Sequence, residues 1–217
     1  MPFDAATYER SCEHYRNHWQ AADEVLYAVA RPHAGPCTDA EINAKLLVIG
    51  RSYATGIERQ VSNPRPSAIA RLSEFFAGNR DAIDGLVAEA ADLQEPLTLE
   101  TLRAIVGIHG RFVHLLRGVT RPDETPWSFA SKYLHFHAPA VPIYDSYAAE
   151  RALPHIYRWQ PGFAVFEPPE GADHEYARFV FRFWQLYQDA VAAGQHVSVK
   201  LLDYYLWYAI GLNGGQA

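Results

Sequence analysis

Lysine is scarce in this 217-residue chain: Lys45, Lys132 and Lys200 stand against sixteen arginines. Cysteine is scarcer still, with Cys12 and Cys37 alone, which provides neither a disulfide framework nor a thiolate pattern for a metal. No window approaches the roughly 18 apolar residues of a membrane span, so no membrane partner is expected. The opening residues, MPFDAATYERSCEHYRNHW, carry charge throughout and lack the apolar centre of a signal peptide. Convincing alternation of apolar and polar residues, the mark of half-buried strands, is missing as well. These absences leave a cytoplasmic globular protein, expected to be monomeric and to need no cofactor.

What is present is an apolar fraction of 49%, a charged fraction of 20% and a high aromatic fraction of 13%. That is enough apolar material for a sizeable core. The formal net charge of −6 argues against a nucleic-acid partner taken as a sum. Its distribution argues the other way. Residues 51–71 hold Arg51, Arg59, Arg65 and Arg71 against Glu58, and residues 101–121 hold Arg103, Arg111, Arg117 and Arg121 with no acid. Either a basic face lies on an acidic body, or these arginines are scattered over several helix faces.

Helical period dominates. Asp4 can cap a helix running through TYERSCEHYRNHWQAADEVLYAVA. Thr38 and Glu41 form a capping box ahead of EINAKLLVIGRSYATGIERQV. Ser67 caps SAIARLSEFFAG, an acidic helix follows from about residue 79 to 93, and Thr98 opens LETLRAIVGIHGRFVHLLRGV. Gly107 and Gly110 inside that last run suggest close helix packing. Thr125 and Pro126 read as N-cap and first residue of the next helix. A further helix runs from Asp145 to about Leu153, and a Pro- and Gly-rich stretch to Ala172 reads as a lid or specificity loop. Asp173 and Ser198 cap two C-terminal helices, which Gly194 and Gly211 should stop. The expected fold is all-α, one domain over 1–217 with two helical lobes and the central segment, about 120–153, beside the cleft between them.

That central segment, WSFASKYLHFHAPAVPIYDSYAAER, sets Lys132 on a helix and Asp145 at the mouth of the next, across a Pro-broken loop. A lysine in an apolar neighbourhood loses proton affinity and can form a Schiff base, which arginine cannot. ASKYLHFHAPAVPIYDSYAAERAL resembles the core of the helix-hairpin-helix (HhH-GPD) DNA glycosylase superfamily, closest to its divergent 8-oxoguanine DNA glycosylase-like branch. LLDYYLWYAIG and GRSYATGIER are similar to the same relatives. In that superfamily a hairpin precedes a helix with a catalytic lysine, and a loop leads to an essential aspartate. The resemblance places these roles on Lys132 and Asp145. Ser128 and Ala130 stand where the family hairpin usually has glycines, and the lysine-to-aspartate gap is several residues shorter than usual.

The resemblance implies a DNA glycosylase that flips a damaged or modified base from double-stranded DNA and cuts its N-glycosidic bond, with lyase activity if Lys132 forms a Schiff base. Asp145 would stabilise the oxocarbenium-like transition state and activate the attacking water or amine. Tyr144, Tyr147, Trp127, His135 and Trp159 are available to hold the base, and Arg51 and Tyr53 interrupt an apolar helix and can add polar contacts. Ser128 and Ser131 of the hairpin region, with Arg117 and Arg121, are the candidates for the DNA backbone. Each residue also has a plainer reading. Asp145 can be only an N-cap, Lys132 a surface lysine lying along its helix, and Arg51 a structural partner of a carboxylate. His135 and His137, two apart on a helix, face different ways, so no metal site is expected. Two other functions fit the same residues: a binding module that has lost catalysis, and an N-glycoside hydrolase acting on free nucleosides.

Overall fold

The computed structural model describes residues 3–31, 38–157 and 163–214. It is all-α: α1 (Ala5–His18), α2 (Gln20–Ala30), α3 (Asp39–Ser52), α4 (Ile57–Gln60), α5 (Ala68–Gly78), α6 (Arg80–Ala91), α7 (Leu99–Leu116), α8 (Trp127–His137), a π-helical turn (Ala148–Ala152) running into α9 (Leu153–Ile156), α10 (Phe163–Phe166), α11 (His174–Ala192) and α12 (Val199–Gly214). An isolated antiparallel bridge joins Val61 to Thr120. Among the described residues no strand is longer than that bridge, and no helix is long and apolar enough to cross a membrane.

The caps read from the sequence form as read. Asp4, Ser67, Thr98 and Asp173 each accept a first-turn amide, and Thr38 and Glu41 close a reciprocal capping box. Ser198 Oγ likewise takes the amide of Leu201 at 3.2 Å. Local chemistry decides these ends because the orphan amides of a first turn need an acceptor close in sequence.

Four boundaries differ from expectation. The first helix is broken at Trp19, which leaves helical geometry (φ −125°, ψ −28°). The break lets α1 lie along α12 while α2 turns to pack on α3 and α8. Tertiary demand sets it, without a glycine or proline. The helix expected through 41–61 stops at Ser52, where Ala54 (φ 46°) and Gly56 (φ 73°) take left-handed conformations. The first turn of α8 lacks the expected Thr125 cap: Pro126 is itself the cap residue, and the Thr125 carbonyl accepts from Trp127 N at 2.9 Å. Gly211 does not end α12, which continues to Gly214.

α8 is the central helix. Every residue from Phe129 to Phe136 is buried, with α2, α3, α6 and α7 packed around it. A lysine on such a helix has no route to solvent along its own stem, so Lys132 does not lie along a surface. The loop 138–145 is pinned back onto α8 from two positions: His135 Nδ1 donates to the Val141 carbonyl at 2.8 Å, and Tyr144 N donates to Ser131 Oγ at 2.9 Å. Tyr176 of α11 adds a hydrogen bond to the Pro142 carbonyl at 2.8 Å. Three fixed points, at Val141, Pro142 and Tyr144, hold the loop that delivers Asp145.

Gly107 and Gly110 do allow a close approach to α7, but a non-helical segment makes it and not a packed helix. A Cβ on Gly110 would sit 2.7 Å from the Gly171 carbonyl oxygen, and one on Gly107 3.3 Å from Pro169 Cγ. The segment ahead of α11 therefore rests directly on the α7 backbone.

Candidate functional site

Where α3 breaks, the Tyr53 carbonyl leaves the helical ladder and needs a donor. Lys132 Nζ supplies it at 2.9 Å, and lies 3.4 Å from Asp145 Oδ2. Asp145 meanwhile accepts the Tyr147 amide through Oδ1 at 2.9 Å, so its cap fixes one oxygen and leaves the other turned to the lysine. Capping thus leaves one oxygen of this carboxylate facing the amine. Lys132 is 3% exposed, and burial pulls its amine below the ordinary lysine range, with Asp145 and Asp203 pulling back more weakly. Asp145, with about a third of its side chain exposed, stays wet.

Both groups line a cavity of about 580 Å³ enclosed by α2, the end of α3, α8, residues 143–145 and α12. The same cavity is lined by Tyr53, one of the polar contacts expected from the sequence, and by three groups the sequence does not single out for the site: Asp23, Lys200 and Asp203. Lys200 Nζ stands 3.1 Å from Asp23 Oδ2 and 3.4 Å from Asp203 Oδ2. It also donates to the Tyr53 hydroxyl, which in turn donates to Asp23 Oδ1. Tyr15 completes the set with a hydrogen bond to Asp23 Oδ2 at 2.9 Å. Burial raises the Asp203 carboxyl, opposed by Lys200 and Lys132, and burial beside Asp23 holds the Tyr53 phenol firmly protonated. At the rim stand Trp19, Tyr204 and Trp207, the two tryptophans about half exposed or more.

The remaining candidates are dispersed. Tyr144 is buried against Phe179 and Trp127, its ring centre 5.7 Å from the latter. Tyr147 lies beneath the Arg151 guanidinium, 5.4 Å from it. His135 is wholly buried between Val141 and the Tyr27 hydroxyl, and burial lowers its pKa to about 3. None of Trp127, His135, Tyr144 and Tyr147 lines the Lys132 cavity. Ser131 is wholly buried and already engaged to Ser128 and Tyr144, which leaves it no face for a phosphate; Ser128 is half-buried. Trp159 lies outside the described residues.

Arg51 is exposed and paired with Glu58 at 2.7 Å, and Arg121 pairs with Glu124 at 2.8 Å, while Arg117 is exposed. Arg71 and Arg111 also hold acids, Glu74 and Glu89. The two arginine-rich stretches are thus partly neutralised locally. His137 accepts from Lys45 Nζ at 3.3 Å and donates to the Tyr133 carbonyl at 2.8 Å, turned away from His135. No group of three or more histidine, cysteine, aspartate or glutamate side chains among the described residues could hold a metal ion. All three lysines are buried. The chain matches no family model, no curated protein and no solved structure.

Proposed function

We propose that this protein cuts N-glycosidic bonds, releasing a damaged or modified base from DNA, with Lys132 and Asp145 as its catalytic pair. One observation supports it above the others: a buried amine of lowered proton affinity 3.4 Å from a carboxylate, both opening into one cavity. A volume of about 580 Å³ falls in the range of roughly 300–1,000 Å³ that small-molecule sites occupy, ample for an extruded nucleoside. The neutral amine attacks C1′ as the bond to the base breaks. The base leaves with the bonding pair and takes up a proton, and Asp145 receives the proton shed by the amine. Ring opening then gives the Schiff base. Before that, the Asp145 carboxylate faces the positive charge that develops on the sugar. In this reading α8 and the 138–145 loop are the divergent hairpin-like segment, and the cavity is the cleft between two lobes.

A second reading, cleavage of free nucleosides, draws support from the pairing of Arg51, Arg71, Arg111 and Arg121 with acids, since a small substrate needs no basic track.

The test is incubation with duplex DNA carrying a panel of modified bases, and separately with free nucleosides, reading released base by mass spectrometry and covalent adduct by borohydride trapping. Release with an adduct that disappears in Lys132→Met supports the proposal. Release from nucleosides alone selects the second reading. No release from either substrate set, or an adduct that persists without Lys132, overturns the pair.

A further inference from the structure

Tyr53 touches both cavity lysines through different atoms. Its backbone carbonyl accepts from Lys132, its hydroxyl accepts from Lys200, and its ring lies 4.7 Å from the Lys200 ammonium and 6.0 Å from that of Lys132. The residue sits where the chain leaves α3, just before the left-handed Ala54. Beyond it the chain closes back on α3, Ala54 N and Thr55 N donating to the Arg51 and Gly50 carbonyls at 3.1 Å each. The side chain ties this turn to the other cavity elements: the ring packs edge-on against Phe136 at 4.9 Å, and the hydroxyl is gripped by Asp23 from α2 and Lys200 from α12.

Lys200 differs from Lys132 in its company. It has two carboxylates and a phenol, the pattern of a fixed ion-paired cation. Lys132 has a carbonyl and one longer contact to a carboxylate, the pattern of an amine left available. We propose that Lys200, clamped by Asp23 and Asp203, is a positioning residue that fixes Tyr53 and thereby aims the Lys132 amine into the cavity. Its catalytic meaning rests on the amine chemistry proposed above, but the positioning itself does not.

The groups bearing on Lys132 are Asp23 on α2, Tyr53 at the end of α3, Asp145 on the loop, and Lys200 and Asp203 on α12. Lys200 repels a second positive charge at Lys132, and Asp203 attracts it.

The chain has three lysines, so protein labelled with 13C at lysine Cε gives three side-chain resonances, assignable by single substitutions and titrated without any substrate. In Lys200→Met the Lys132 titration should move up as the repelling charge goes, and the resonance should broaden as Tyr53 loosens. In Tyr53→Phe, which keeps the carbonyl but frees the ring from Asp23 and Lys200, it should move down as the acceptor of the charged form loosens, with the resonance broadened. Circular dichroism confirms that each variant is folded. If Lys200→Met proves unfolded, Tyr53→Phe decides alone. A Lys132 titration unchanged in folded Tyr53→Phe overturns the proposal, whatever the outcome of the base-release assay. Movement in the stated directions with no base release retains the positioning and removes only its catalytic meaning.

Discussion

Lys132 Nζ lies closer to the Tyr53 carbonyl (2.9 Å) than to the Asp145 carboxylate (3.4 Å). The amine is thus held by a neutral acceptor and only flanked by the charged one. A tight ion pair would keep it protonated; this arrangement lets burial win and the proton leave more readily.

Asp145→Asn should abolish base release while leaving the fold intact. The amide oxygen of asparagine can still cap Tyr147, so thermal midpoints should agree closely. The rate should drop about a hundredfold or more, the scale of a lost acid–base or charge-stabilising group. An unchanged rate in the folded variant removes Asp145 from the mechanism.

The pH dependence of stability should carry the signature of Lys132. Its folded pKa is below the ordinary lysine value because burial disfavours the ammonium. Between those two values the unfolded chain binds more protons, so stability rises with pH through that window. Urea unfolding of wild type and Lys132→Met at pH 7 and pH 9.5 isolates the effect as a difference, since shared groups such as Cys12 cancel. Wild type should gain relative to the variant by about 1.4 kcal/mol for each unit of separation spanned. Parallel pH curves would mean an amine no different from a surface lysine.

Acid should unfold the protein early. His109 and His137 are lowered to about 4 and His135 to about 3, burial being the main cause in each. All three fold neutral, so the stability they contribute is complete above the unfolded value of about 6.5 and is lost as pH falls through 4 to 3. Denaturant midpoints should begin to drop below pH 6.5, before most carboxylates titrate. Flat midpoints down to pH 4.5 would contradict the buried neutral assignment.

Gly110→Ala should destabilise by about 1–3 kcal/mol, because the new methyl meets backbone, not a movable side-chain tip. Gly107→Ala, which meets only Pro169 Cγ at 3.3 Å, should cost less. Equal midpoints for the two variants in thermal unfolding would refute the distinction.

Which parts were legible in sequence follows from distance along the chain. Thr38 with Glu41, Ser67, Thr98 and Asp173 act within one helical turn, so their sequence neighbours alone reveal their effect. Lys132 and Asp145 are thirteen positions apart on one segment, and their meeting could be anticipated. The break at Trp19 has no local breaker; it arises because α1 and α2 have different partners. Asp23, Lys200 and Asp203 reach the cavity from α2 and α12, and only folding unites them. The one available signal was Lys200 and Asp203 placed i and i+3 on a helix, one of the few lysines beside an acid. The sequence offers His135 and Ser131 for ligand contacts, yet His135 is engaged by Val141 and Tyr27, and Ser131 by Tyr144 and Ser128.

The burial of Lys45, Lys132 and Lys200 has a consequence for the outer face of the molecule. Side-chain positive charge reaches solvent as guanidinium, apart from any charged histidine. Enzymes that modify lysine therefore meet no side-chain amine on the outer face of the folded chain, and small acylating reagents reach Lys132 and Lys200 only by way of the cavity. The rate at which a dilute amine-reactive reagent marks Lys45, which does not line that cavity, becomes a clock for the opening of its surroundings, while the marking of Lys132 and Lys200 reports on entry to the cavity.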